Sequence, residues 1–161
     1  MATSILNDIE SGMAKLIAAM TRGGGYNFDW GSVNEIDRSK QTFPSAQIQL
    51  QSETNIDEDG GAWSKAYYNY ADYDILVVAR LETEAPDPVY EINKDLNLAL
   101  DDLKMLFGAN YSVSGKCDTV MYKGMERKIE RVGDIFIPKS MTTHWRIRYT
   151  QLRATPSVTA S

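Results

Sequence analysis

The chain has one histidine, His144, and one cysteine, Cys117. A Ser/His/Asp or Cys/His nucleophile would have to be built on these two residues. Around His144 the sequence alternates. Thr143, Trp145, Ile147 and Tyr149 take one side of a strand, and His144, Arg146, Arg148 and Thr150 take the other. His144 therefore reads as an exposed strand-face residue rather than a general base. One histidine and one cysteine also cannot make a Cys/His metal cluster. Asp57, Glu58 and Asp59 offer oxygen ligands to a hard cation. They lack the alternate spacing and distal glutamate of a calcium loop, so they read as a solvated acidic loop. Asp72, Asp74 and Glu82 fall on one strand face. Paired carboxylates can exchange protons, but the simpler reading is that they face solvent or pair with lysine or arginine of a neighbouring subunit. Gly23-Gly24-Gly25 follows a helix and lacks the Lys-Ser/Thr of a phosphate loop, so it reads as a chain reversal. No catalytic, cofactor or metal site emerges, and the expectation is a protein that is not an enzyme.

The basic residues Lys123, Arg127, Lys128, Arg131, Arg146, Arg148 and Arg153 can face nucleic acid or an acidic protein surface. No nucleic-acid module pattern accompanies them. Trp63, Tyr67, Tyr68 and Tyr70 suit either a contact patch or strand packing.

Periodicity places the elements that must position these residues. Ile5, Ile9, Met13, Leu16 and Met20 recur at three and four and predict a helix over 4–20, with Thr3 or Ser4 as N-cap. Tyr26, Phe28 and Trp30 alternate with polar residues, which predicts a short half-buried strand or ordered loop before a polar run to position 42. Ala46, Ile48 and Leu50 alternate with Gln47, Gln49 and Gln51, so a strand over 43–51 has one buried face. Positions 53–62 read as a loop. Tyr73, Ile75, Val77, Ala79 and Leu81 give a long strand over 66–82, apolar on both faces near its middle. Asp87 and Pro88 start a second helix that runs to Phe107. Its stripe is Val89, Ile92, Leu96, Ala99, Leu100, Leu103 and Phe107, and Gly108 stops it. Strand-like pieces follow near 117–123, 134–138 and 142–150, with a charged loop at 123–133. Helix, strands, helix, strands without regular alternation predicts α+β: a mostly antiparallel sheet with two main helices packed on it, as a single domain. That domain is expected over 1–153, with a flexible tail at 154–161.

At 161 residues, 43% apolar and 24% charged, the chain is of ordinary globular make-up. A single cysteine excludes an intrachain disulfide. No basic start precedes an apolar run, and no stretch approaches the roughly 20 apolar residues of a membrane span, so a cytoplasmic protein is expected. The net charge of −5 conceals an asymmetry. Residues 1–103 hold 7 basic and 18 acidic side chains, a net of −11; residues 104–161 hold 10 and 4, a net of +6. Such a chain can present faces of opposite sign to copies of itself or to other partners.

The layout resembles the tail terminator, or tail completion, proteins of long-tailed bacteriophages, over roughly residues 4–150. The features are the first amphipathic helix, Phe43-Pro44 opening a strand with Ile48 and Leu50, and a long strand ending in Val77-Val78-Ala79. The helix Ile92-Asn93-Lys94-Asp95-Leu96-Asn97-Leu98-Ala99-Leu100 follows, and Trp145-Arg146-Ile147-Arg148-Tyr149 closes the chain. The resemblance implies a hexameric ring that caps the tail tube, ends tube polymerisation and joins the head-completion or connector proteins. The tail tube protein is then a partner, with the tail sheath as a further contact. DNA passes through the lumen without sequence-specific binding, no membrane is involved, and the place is the tail–neck junction of a virion assembled in host cytoplasm. Under that resemblance Arg127, Lys128, Arg131, Arg146 and Arg148 lie at subunit or ring-to-ring contacts, and Asp57, Glu58 and Asp59 reach a neighbour or the lumen. Changing Arg146 and Arg148 to Glu is then expected to block assembly without unfolding the subunit. Segments 26–42 and 53–66 are longer than a minimal core needs, which keeps another neck or baseplate joining protein in view. A non-viral small-molecule-binding α+β domain, with Trp63, Tyr67 and Trp145 lining an apolar pocket, is the further alternative.

Overall fold

The computed structural model describes residues 4–56, 66–79 and 88–152. The first helix, α1 (Ile5–Ala18), buries Ile9, Met13 and Ile17, and Met20 just beyond it is buried as well. Ser4 stands at the N-cap with extended backbone, but its hydroxyl makes no capping bond; only its carbonyl is used, by the Asp8 N–H at 3.0 Å. The side-chain cap expected there is absent, and the burial of one face holds the helix instead. After α1 the glycine run turns as a single 3-10 turn. Thr21 Oγ1 accepts from Gly24 N–H at 3.0 Å, and Gly25 takes a φ of 97°, which a Cβ would resist.

Five strands form one sheet in the order β1-β2-β3-β5-β4. They are β1 (Ser32–Val33), β2 (Ser45–Asn55), β3 (Ala66–Val78), β4 (Thr119–Val132) and β5 (Ile135–Leu152). Between β3 and β4 runs the second helix, α2 (Pro88–Ala109). The short β1 pairs parallel to the start of β2, and every other pairing is antiparallel. The fold is therefore α+β, as the alternation of patterns predicts. The Phe43–Pro44 bond that precedes β2 is cis. The expected cap at Asp87, and Glu82, Trp63 and Arg153, lie outside the described residues, as do Asp57, Glu58 and Asp59.

Three expectations are corrected. The charged stretch 123–133 is not a loop. It is the second half of β4, paired with β5 through Val132↔Ile135 and closed by Gly133-Asp134, with Gly133 at a φ of 63°. That is a tight two-residue hairpin turn, and it makes 134–138 and 142–150 parts of one strand. Residues 53–55, expected as loop, continue β2. Leu50 is 39% exposed rather than buried. It keeps the helix-side row of Tyr73, but β2 is the outer strand at that level among the described residues; a register shift just after it, between Leu50 and Ser52, marks a bulge.

Both helices cover one face of the sheet. The core there joins Ala46 and Ile48 of β2, Ala71, Tyr73, Ile75 and Val77 of β3, and Met141, Trp145 and Ile147 of β5 to Leu96, Leu103 and Phe107 of α2. Trp145 sits between Phe107 and Tyr122, with ring centroids 5.0 and 5.2 Å away. Its indole N–H donates to Thr143 Oγ1 at 2.7 Å, and the Thr143 hydroxyl donates to the Ile75 carbonyl at 3.0 Å. The two buried side-chain donors are thus both satisfied.

One carboxylate lies inside this layer. Asp102 on α2 is fully buried and accepts four hydrogen bonds. Asn27 N–H and Nδ2 reach Oδ1 at 2.8 and 2.9 Å. Phe28 N–H and Trp30 Nε1 reach Oδ2 at 3.2 and 3.0 Å. The segment after α1 is thus pinned to α2, and Trp30 is drawn into the core. Removing the acceptor leaves buried donors without partners. Asp102→Ala is expected to destabilise the fold by about 3 kcal/mol, and Asp102→Asn by less, since its amide oxygen still accepts. Urea unfolding of the three proteins checks this; an unchanged midpoint for Asp102→Ala overturns it.

Candidate functional site: the open face of the sheet

Among the described residues no helix lies on the other face of the sheet. Cross-strand register decides which side chains meet there. Asp72 is opposite Arg146, Asp74 opposite His144, and Tyr70 opposite Arg148. Arg146 Nε donates to Asp72 Oδ1 at 2.8 Å and Nη2 to Oδ2 at 3.3 Å, a two-point clasp. Ser52 Oγ adds a bond to Asp72 Oδ2 at 3.2 Å. The Arg146 guanidinium also lies over the Tyr70 ring at 5.1 Å, and Arg148 lies over Tyr68 at 5.8 Å. Each arginine leans diagonally onto the tyrosine one row away, a favourable cation–π geometry. His144 Nδ1 is 2.6 Å from Asp74 Oδ1, and its Nε2 is 4.0 Å from Glu126 Oε2. The Asp72–Arg146 and Asp74–His144 pairs, with Gln51 and Lys123, line an open cleft of about 350 Å³.

The cleft holds the parts of an Asp–His pair without a nucleophile to activate. The Ser52 hydroxyl is turned to Asp72, and no hydrogen bond joins it to His144 among the described residues. Cys117 lies elsewhere, with its thiol directed at the Tyr111 carbonyl at 3.6 Å. Burial, with Asp118 adding to it, pushes that thiol up to about 11, so it is held neutral rather than as a thiolate. No group of three His, Cys, Asp or Glu side chains that could hold a metal ion occurs among the described residues.

The structure separates the residues that the sequence grouped as contacts. Arg127 is on the helix side of β4, half-buried. Its Nη1 donates to Asn93 Oδ1 at 3.1 Å and its Nη2 to Asn97 Oδ1, which ties β4 to α2. Its Nε is buried without a partner, and burial lowers the guanidinium's pKa. Lys128 and Arg131 are exposed on the hairpin, where Arg131 Nε donates to the Gly133 carbonyl at 2.9 Å. Arg148 is exposed apart from its tyrosine. Asp72, expected to pair with a neighbouring subunit, finds its arginine within the same chain. Changing Arg146 to Glu would set two carboxylates side by side at that point, so Arg148→Glu is the cleaner test of assembly. Sequence reasoning missed Asp102, the role of Arg127 as a helix clamp, and the Asp72–Arg146 and Asp74–His144 pairs. The signals were present: Asp102 falls on the stripe of Ala99, Leu103 and Leu106, and opposite charges alternate in phase on two strands.

The Arg146 hydrogen bond, the largest influence, holds the Asp72 carboxyl below its ordinary value; burial opposes it and the arginine's charge reinforces it. A carboxyl lowered by folding contributes stability above its unfolded value, and that contribution is lost as pH falls through the folded value. Asp72→Asn is therefore expected to melt at lower temperature than the parent at pH 7, with the gap closing on acidification below the carboxylate range. A gap independent of pH overturns the pairing as its source. No family model and no curated protein sequence matches the chain.

Proposed function

We propose that the chain is a structural joining protein of a long-tailed phage, a tail terminator that assembles as a ring, expected to be hexameric, on the tail tube. It ends tube polymerisation and presents a surface to the head-completion or connector proteins. The observation that carries this is the one-sided sheet. Its helices occupy one face, and the other carries cross-strand polar pairs, the Asp72–Arg146 ion pair and the Asp74–His144 hydrogen bond, with two arginine–tyrosine stacks. Such a surface is rigid and polar, as suits repeated contact between proteins, and its Asp–His pair has no nucleophile to activate. The order of elements also follows the layout on which the resemblance rests. Of the residues expected at contacts, exposed Lys128 on the hairpin and Arg148 on the open face are the basic groups best placed to meet an acidic neighbour, while Arg131 already lies 3.9 Å from Asp134. The station on the virion, at the neck or the baseplate, belongs to the same proposal.

Light scattering of the purified protein, over a range of concentration and salt, tests it. A closed oligomer is expected, or a monomer that closes into one when tail tubes are added, and Arg148→Glu is expected to weaken that association. A chain that stays monomeric with tubes present overturns the ring. The cleft beside His144 would then direct attention to a small polar ligand, read by a ligand-induced rise in melting temperature.

A further inference from the structure

We infer that the ring closes through the edges of the sheet: β2 of one copy pairs antiparallel with β4 of the next. This rests on the ring proposed above and names the surfaces that form it. Beyond Ala46 no described strand pairs with the outer side of β2. The stretch Gln49–Asn55 is exposed throughout, and its one charged residue is Glu53. At the far edge, β4 is likewise unpaired on its outer side among the described residues. Its first half, Thr119–Gly124, has one charged residue, Lys123, whereas its second half carries Glu126, Arg127, Lys128, Glu130 and Arg131. Charge on an edge strand is what keeps it from pairing. The hairpin half of β4 is guarded in this way, and the two halves named here are not.

The unguarded halves lie at the same level. Register runs Leu50↔Tyr73, Tyr73↔Trp145 and Trp145↔Tyr122, so Leu50 and Tyr122 end one row at opposite edges. The row Glu53, Ala71, Ile147, Val120 is its neighbour on the helix side. Leu50 is a partly exposed apolar side chain at one edge, and Val120 and Tyr122 are half-buried at the other. A rotation about an axis along the strands preserves strand direction. It brings β4 of one copy beside β2 of the next in antiparallel sense and sets Leu50 against Val120 and Tyr122.

Charge selects this head-to-tail join over a two-fold one. The strands β2 and β3 carry Glu53, Asp72 and Asp74 and no basic residue, while β4 and β5 carry seven basic and two acidic residues. Like edges meeting would oppose like charges, whereas unlike edges meeting complement one another. A join between two different edges runs head to tail, so it builds a ring where its rotation closes, and not a two-fold dimer.

Two variants and one measurement test the inference. Leu50→Lys puts a guarding charge on β2. Val120→Pro removes an outward donor from β4: the Asn34 N–H donates to the Ala46 carbonyl at 2.8 Å on the outer side of β2, and carried across the register this turns the Ile147 backbone toward β3 and the Val120 N–H opposite it away from β5. Both variants are expected to stay folded by thermal melt and to associate at least about tenfold more weakly by light scattering. In the assembled parent, amide exchange is expected to slow at 49–55 and 119–124 relative to the monomer. A parent that assembles with no slowing there, or variants that assemble as it does, overturns edge pairing and leaves the ring standing. A parent that stays monomeric even with tail tubes overturns both.

Discussion

A buried carboxylate joins the two halves of this domain. Asp102 reaches from the middle of α2 to collect the peptide N–H groups of Asn27 and Phe28, the Asn27 amide and the Trp30 indole. A carboxyl group in an apolar layer is costly unless its oxygens are hydrogen-bonded, and here four donors reach them. The contact fixes where the chain goes after α1. It seats Trp30 in the core and delivers Ser32 and Val33 beside the start of β2. That in turn leaves the rest of β2 as the outer edge of the sheet. The edge proposed to meet a neighbour is thus set by a contact on the opposite side of the core.

The elements with clean periodicity are legible in the sequence. From Ile92 onward the second helix, like the middle of β3, buries the residues expected of it, because the apolar spacing has one solution. The hairpin is not legible, since β4 hides its strand character beneath Glu126 to Arg131. Those residues face solvent on a long edge, or in the case of Arg127 clamp a helix, so alternation of hydrophobicity gives no signal. Leu50 keeps the phase of its strand and is exposed because β2 is an outer edge at that level, which alternation alone does not reveal. Asp102 escapes notice because it follows Asp101 in an acidic helix, although its place on the apolar stripe marks it. The open-face pairs depend on which strands are neighbours, and no local pattern reveals that β3 lies beside β5.

The asymmetry of charge acquires a direction in the fold. Acidic and basic stretches of sequence become two halves of one sheet, β2 with β3 and β5 with β4. Where they meet, Asp72 pairs with Arg146 within the chain, and Asp74 lies against the His144 ring. What is left over lies toward the outer edges. A polarised sheet of this kind favours contacts between unlike edges over contacts between like ones.

The pairing of β3 with β5 has a consequence for how the chain comes together. Ile75 and Thr143 are 68 positions apart, and α2 and all of β4 are made between them. A growing chain that has emitted β3 therefore holds half a sheet, with Tyr73, Ile75 and Val77 lacking the strand that completes their layer. Distant partners must be brought together before their contacts can repay the loss of chain entropy. The last of the five strands to leave the ribosome is the one that closes the centre, so neither the core nor a subunit fit to assemble exists until β5 has been made.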